Sequence, residues 1–365
     1  MLTILHTESS VGWGGQENRT LHECAGLKKL GERVIVLCKP DSKLKIRAES
    51  AGIEVRTHPM RSNRDISALF YLLRLIKEES VDVISTHSGD DSLLGAVAGR
   101  LSRRKPAIVR TRHLALPITS KLTYSLLPHR VVTVSEHVRQ YLINDEGISP
   151  HHVVTVFTGV DLERFDPDKT QDTLRAGLGA GKDTLIVGTI AILRRKKGHH
   201  VLLDAISEVV KKVPDALFVF AGDGPQRQNI EARIKELGIG QWVRLLGLRT
   251  DVPAVLNGID LFVLPTLQEA LGTSILEASA MRKAVISTKV GGVPEVIVEG
   301  KTGLLVEPED SAGLGAAIVA LLTDARTRES MGAQGRRLVE TDFSTTRMVE
   351  KMHGLYVSLA AKRHG

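Results

Sequence analysis

The stretch Leu264-Pro265-Thr266-Leu267-Gln268-Glu269-Ala270-Leu271-Gly272-Thr273-Ser274-Ile275-Leu276-Glu277-Ala278 decides the reading of this chain. It follows the apolar run Leu261-Phe262-Val263-Leu264, which reads as a buried strand, and it opens a helix at about Gly272. A strand, a short loop and a helix that begins on small residues form half of a βαβ unit. The free N–H groups and the positive end of that helix, around Leu271, Gly272 and Thr273, suit a diphosphate. Glu277, further along the helix, can accept from two ribose hydroxyls. Glu269 stands ahead of the helix, facing what the diphosphate leaves behind. On spacing alone, two ordinary glutamates on a solvated helix remain an equal reading.

Working outward, the same alternation fills the chain. Leu2–Leu5, Val34–Leu37, Val81–Ser85, Ala107–Arg110, Val131–Val134 and Val153–Val156 read as strands, with helical periodicity over Glu17–Leu30 and Ile66–Glu79. The pattern pauses between 159 and 182, a stretch rich in Asp, Gly and Lys. It resumes at Leu185–Gly188 and continues through Leu217–Phe220, Val243–Leu246, Leu261–Leu264 and Ala284–Ser287. The expected fold is α/β: two doubly wound, Rossmann-like domains with a cleft between them. The boundaries are 1–165, a linker over 166–182, 183–344, and a final helix over 345–365 packing back towards the first domain.

Composition excludes several classes. The 365 residues are 42% hydrophobic and 25% charged, which is ordinary for a soluble globular protein. Cys24 and Cys38 are the only cysteines, too few for a disulfide framework and suited to a reducing cytosol. No apolar run is long enough to span a membrane, and Met1–His6 is not a signal peptide, so a cytoplasmic protein is expected. The net charge of +7 favours acidic partners, but 4% aromatics argue against nucleic acid. No Cys–His pairs, glutamate-rich metal sets or Gly-x-Ser-x-Gly elbow appear, so neither a hydrolase nucleophile nor a metalloenzyme is expected.

Several blocks, in order, resemble retaining glycosyltransferases of family 4 on the GT-B fold, over nearly the whole chain. Glu269 and Glu277, with seven residues between them, look like the family's Glu-x7-Glu motif. Phe157-Thr158-Gly159-Val160-Asp161 resembles its Asn-Gly-Val-Asp segment, with Thr158 in place of Asn. Ala221-Gly222-Asp223-Gly224-Pro225, Val290–Glu295 and Gly300–Val306 match further blocks. The resemblance implies transfer of a sugar from a UDP- or GDP-linked donor, with retention of configuration and no cofactor or metal. It places catalysis on Glu269, on His113 and on the basic loop after Val187-Gly188. Relatives carry an arginine directly after that strand. Here the arginine comes later, so Arg194 and Lys197 are the expected cationic pair, with Arg195 and Lys196 solvated. Donor binding falls on Gly14, Gly15, Gly222, Leu271, Gly272, Thr273 and Glu277. The first domain is expected to bind the acceptor and the second the nucleotide-sugar.

The Gly-Trp-Gly-Gly-Gln-Glu opening and the Leu-Arg-x-x-Lys-Gly-His block look most like bacterial enzymes of lipopolysaccharide or surface polysaccharide assembly, acting on a glycan or lipid-linked acceptor. A GT-B sugar-nucleotide epimerase and a non-catalytic nucleotide-sugar-binding partner are the alternatives. Asp166-Pro167-Asp168 has the form of a metal–diphosphate motif from another fold but lies in the linker and reads as solvated. Ser92–Ser135 holds no Asp or Glu. Its basic residues (among them Arg100, Arg110, Arg112 and Lys121), with Leu114, Leu116, Ile118, Leu122, Tyr124, Leu126 and Leu127, are expected to dock on an anionic membrane surface.

Overall fold

The computed structural model describes residues 1–181 and 183–364. Lys182, at the end of the expected linker, and Gly365, at the end of the expected final helix, lie outside the described residues.

The chain forms two units, 1–159 with 345–365, and 160–344. In the first, the elements run β1 (Thr3–Glu8), α1 (Gly15–Lys29), β2 (Arg33–Cys38), α2 (Lys43–Ser50), β3 (Glu54–Thr57), α3 (Ile66–Glu78), β4 (Val83–Thr86), α4 (Gly89–Leu101), β5 (Ala107–Arg112), α5 (Leu122–Ser125), β6 (Arg130–Thr133), α6 (Glu136–Asn144) and β7 (Val153–Thr155). The second holds α7 (Leu174–Leu178), β8 (Ile186–Ile190), α8 (His199–Lys212), β9 (Leu217–Ala221), α9 (Arg227–Leu237), β10 (Val243–Gly247), α10 (Val252–Gly258), β11 (Leu261–Leu264), α11 (Thr273–Ala280), β12 (Ala284–Thr288), β13 (Gly303–Val306), α12 (Ser311–Thr323) and α13 (Ala325–Asp342). The last helix, α14 (Thr345–His364), belongs to the first unit.

Both sheets are parallel. Their orders are β3-β2-β1-β4-β5-β6-β7 and β10-β9-β8-β11-β12-β13. A parallel sheet is covered on both faces, and its strands are therefore continuous apolar runs. Ile4, Leu5, Ile35 and Ile84, and in the second unit Phe262, Val263, Val285 and Ile286, are fully buried. The order reverses between β1 and β4 and again between β8 and β11. In open α/β sheets, ligands bind beyond the carboxyl ends of the strands at such switch points.

The structure moves the expected boundaries. The chain leaves the first unit at Gly159, not at 165. The described part of the expected linker, 166–181, belongs to the second unit and carries α7. Leu174 is buried against Gly258 of α10, where a Cβ would meet its Cβ at 2.6 Å. Arg175 pairs with Asp260 at 2.5 Å. On the first unit, α14 lays Met348, Val349, Met352 and Tyr356 into the core beside Cys24 and Leu27 of α1. The contact is close enough that a Cβ on Gly26 would meet Val349 at 2.4 Å.

Candidate functional site

In the second unit, the loops after β8 and β11 are stitched together. Thr266 Oγ1 donates to the Lys196 carbonyl at 2.9 Å, and the Leu267 N–H donates to the same oxygen at 2.7 Å. Gly198 has φ +71°, and a Cβ there would lie 1.7 Å from the Pro265 carbonyl oxygen. That approach turns Lys197 onto Glu269, and the two form an ion pair with both side chains 17% exposed. A third loop closes on the same point: the Gly292 N–H donates to the Glu269 carbonyl at 3.2 Å. Thus the structure brings Lys197 and Glu269 together at the β8/β11 switch point.

Helix α11 begins just beyond. Gly272 takes φ +102°, a conformation that favours glycine. Among the described residues, the N–H groups of Thr273 and Ser274 find no protein acceptor, so the helix presents them with its positive end. Leu271 is buried beneath this turn. Glu277, one turn further on, is half-buried, and among the described residues its carboxylate accepts no hydrogen bond. Burial pushes its carboxyl up to about 7, opposed by the charge of Arg164. A carboxylate that accepts no hydrogen bond is one that a ligand's hydroxyls can satisfy.

Arg194 is not part of this cluster. It is exposed and lines a separate pocket with His199, His200, Asn229 and Arg233, walled by α8 and α9. The expected pairing of Arg194 with Lys197 is corrected: the short turn over Arg195–Lys197 sends the two side chains to different places. Gly222 has a structural reason to be glycine, since a Cβ would meet the Ala191 carbonyl oxygen at 2.0 Å. Asp168 is held by both arms of Arg282 at 2.7 Å, and Asp166 by Lys169 at 2.9 Å.

In the first unit, the β1/β4 switch point holds groups the sequence reading missed. Asp91 accepts from Thr7 and Ser9 side chains and from the His87 and Ser88 N–H groups. Glu8 accepts from Ser88, from Gln16 at 2.8 Å and from the Ser10 N–H at 2.9 Å. Burial, with the charge of Asp91, drives the Glu8 carboxyl well above its usual range. Gly14 and Gly15 start α1 here. The Gly14 N–H donates to Glu17 at 2.8 Å, so the protein's own carboxylate already occupies this helix start, while Gly15 faces open space. His113 follows β5 and is 9% exposed. Its Nε2 lies 3.4 Å from His87 Nδ1, and His87 Nε2 lies 3.0 Å from His6 Nδ1. Burial pushes all three imidazoles below the ordinary histidine range.

The basic, leucine-rich stretch divides. Leu114, Leu116, Leu122 and Leu126 are exposed, and Lys121 sits among them. Arg112 donates to the Leu114 and Leu116 carbonyls, and Arg100 to those of Leu126 and Leu127. Arg110 and Tyr124, expected on the surface, are instead buried, with the guanidinium 3.7 Å from the ring centroid. Among the described residues, no helix is long and apolar enough to cross a membrane.

Comparison with known proteins agrees with this architecture. A family model described as Glycosyltransferase Family 4 matches residues 13–164, and one described as Glycosyl transferases group 1 matches residues 170–338. The chain is 26% identical over 316 residues to the UDP-Gal:alpha-D-GlcNAc-diphosphoundecaprenol alpha-1,3-galactosyltransferase of Escherichia coli, covering 82% of this chain and 81% of that one. It is 29% identical over 307 residues to the N-acetyl-alpha-D-glucosaminyl L-malate synthase of Bacillus anthracis, covering 80% and 78%. The crystal structure of a glycosyltransferase from Rickettsia africae superposes with a TM-score of 0.90 over 98% of both chains, at 23% identity. The two sheets with their switch points are the GT-B fold. The chain belongs to the family 4 glycosyltransferases.

Proposed function

We propose that this glycosyltransferase moves a hexose from a UDP-linked donor to a glycan or lipid-linked acceptor, with retention of configuration and without a metal ion, in the assembly of a bacterial lipopolysaccharide or surface polysaccharide. The observation that carries the reading is the convergence of Lys197, Glu269 and the start of α11 at one switch point. In this reading the diphosphate sits on the Thr273 and Ser274 N–H groups, and Lys197 neutralises the charge that develops as the glycosidic bond breaks. Glu277 accepts from the ribose hydroxyls. Glu269 accepts from hydroxyls of the transferred sugar, and His113 of the first unit accepts from a sugar hydroxyl. The bond from the anomeric carbon to the diphosphate oxygen breaks, and a bond to the acceptor oxygen forms on the same face. The acceptor proton passes to the departing phosphate oxygen.

The UDP donor and the lipid-linked acceptor are supported by the Escherichia coli relative, whose name states both. The first unit holds the acceptor in this proposal. The exposed leucines at 114, 116, 122 and 126, with Lys121, support docking of that unit on the inner face of an anionic membrane. The test is incubation with UDP-galactose, UDP-GlcNAc, UDP-glucose or GDP-mannose, with and without a GlcNAc-diphospholipid, in EDTA. An α-linked product from a UDP-sugar supports the proposal. An inverted linkage, transfer only from GDP-mannose, or activity lost to EDTA and restored by Mg²⁺ overturns the corresponding part.

A further inference from the structure

Three histidines stand at the carboxyl ends of three neighbouring strands. His6 lies in β1, His87 directly follows β4, and His113 directly follows β5. They connect in one line: His113 Nε2 to His87 Nδ1 at 3.4 Å, then His87 Nε2 to His6 Nδ1 at 3.0 Å. The His6 and His87 rings stack with centroids 5.3 Å apart. At the inner end, His6 Nε2 has no hydrogen-bond partner among the described residues and lies 4.0 Å from Glu23 Oε1. Glu23 is itself fully buried on α1. Tyr356 of α14 donates to Glu23 Oε1 at 2.6 Å, and the Tyr356 oxygen lies 2.9 Å from Ser85 Oγ. At the outer end, His113 Nδ1 has no protein partner among the described residues, and His113 is 9% exposed.

A neutral imidazole has one N–H and one bare nitrogen, and the bond made at one nitrogen fixes what the other presents. The line therefore has two polarities. Glu23 chooses between them, because its carboxylate favours the proton on the facing Nε2 of His6. His6 Nδ1 is then bare and accepts from His87 Nε2–H. His87 Nδ1 is bare in turn and accepts from His113 Nε2–H. Arg19 lies 4.0 Å from Glu23 Oε2. Burial, with the charges of Arg19 and of Arg112 at the end of β5, keeps His113 from taking a second proton. Burial acts in the same direction on all three rings, so the line consists of neutral imidazoles near neutral pH.

We infer that His6, His87 and Glu23 are positioning residues that hold His113 as its Nε2–H tautomer, so that it offers a bare Nδ1 as a hydrogen-bond acceptor. The ligand group this suits is a hydroxyl that donates, as on a sugar, not a carbonyl or phosphate oxygen that accepts. The function of the tautomer rests on the proposed role of His113, but the tautomer itself does not.

The test uses the full chain labelled with ¹⁵N-histidine. Long-range ¹H–¹⁵N correlation at neutral pH reports which nitrogen of each ring carries the proton, and His6→Asn and His113→Asn assign the signals. The wild type should show His113, His87 and His6 all as Nε2–H. A wild-type His113 carrying its proton on Nδ1, or on both nitrogens, overturns the inference. Glu23→Gln should mix or reverse the tautomers along the line, and an unchanged His113 overturns it. If Glu23→Gln does not fold, His87→Phe, which keeps a ring but interrupts the line, should leave His113 a mixture of tautomers. A pure Nε2–H form in that variant also overturns the inference. In transfer assays, His87→Phe should lower kcat roughly 10- to 100-fold, as expected when a supporting partner is lost, with the donor KM little changed. Full activity in His113→Asn would defeat the proposed role of His113 while leaving the tautomer result standing.

Discussion

Gly198→Ala isolates the stitching of the two loops from any chemistry of the side chains they carry. The residue sits at φ +71°, and a methyl group there would lie 1.7 Å from the Pro265 carbonyl oxygen. Real Cβ contacts stay beyond 3.0 Å, so the loops must part by about 1.3 Å. Gly238 provides the control. It has φ +66° and nothing within 4 Å of the added carbon. Both variants carry the left-handed backbone cost of about 1–2 kcal/mol. Gly198→Ala adds a backbone clash, bringing its total to about 3 kcal/mol, at the upper end of the range for local backbone strain. For a unit of this size that corresponds to a melting temperature roughly 6–12 °C lower, against roughly 2–8 °C for Gly238→Ala. Activity should separate the two more sharply. A displacement of about 1 Å at Lys197 relative to Glu269 costs on the order of 10²-fold in kcat/KM, whereas Gly238→Ala should stay near wild type. The measurements are thermal unfolding and UDP release from the preferred donor. Equal activity in the two variants would refute the account of how Lys197 and Glu269 are brought together.

Lys197→Ala should lose on the order of 10²-fold in turnover, as expected for removing a partner of developing charge; Arg194→Ala should stay within about 5-fold of wild type, and steady-state kinetics of both would show whether the assignments are reversed. Glu277 gives a pH signature. Its folded pKa of about 7 lies above the unfolded value of 4.5, so its contribution to stability is fully present below about 4.5 and is lost as the pH rises through 7. Glu277→Gln should therefore raise the melting temperature of the ligand-free protein more at pH 8 than at pH 5, and should weaken UDP binding in calorimetry; equal shifts at both pH values would refute the burial argument. Leu122→Asp combined with Leu126→Asp should reduce co-sedimentation with phosphatidylglycerol vesicles at low salt, leaving soluble turnover intact, and unchanged binding would place the membrane contact elsewhere.

The alternating sheets were readable because buried parallel strands are unbroken apolar runs, and residues 34–37 and 261–264 could hardly be anything else. The edge strand β3, Glu-Val-Arg-Thr, escaped because it holds a single apolar residue. Lys197 and Glu269 were visible as loop residues after strands, where α/β folds place ligands. Which basic side chain of Arg194–Lys197 faces inward was not visible, because a charge run has no periodicity over a single short turn. His6 and His87 are distant in sequence, and each looks like a stray polar residue at the end of an apolar run. A signal was present all the same: each of the three histidines lies near or just past the carboxyl end of a buried strand, and strands β1, β4 and β5 are neighbours. Only the sheet order makes them one line.

Helix α14 completes a unit that the chain left at Gly159. Its Met348, Met352 and Tyr356 close the core over α1, and Tyr356 reaches Glu23. During synthesis, residues 1–159 leave the ribosome with that face uncovered. The whole second unit emerges and can fold before the missing helix arrives. Of the two units, the one begun first is thus finished second, because the tyrosine that secures Glu23 is translated after the second unit. A ribosome stalled after residue 344 would carry a mature second unit beside a first unit that still exposes apolar surface, an obvious target for chaperones and proteases.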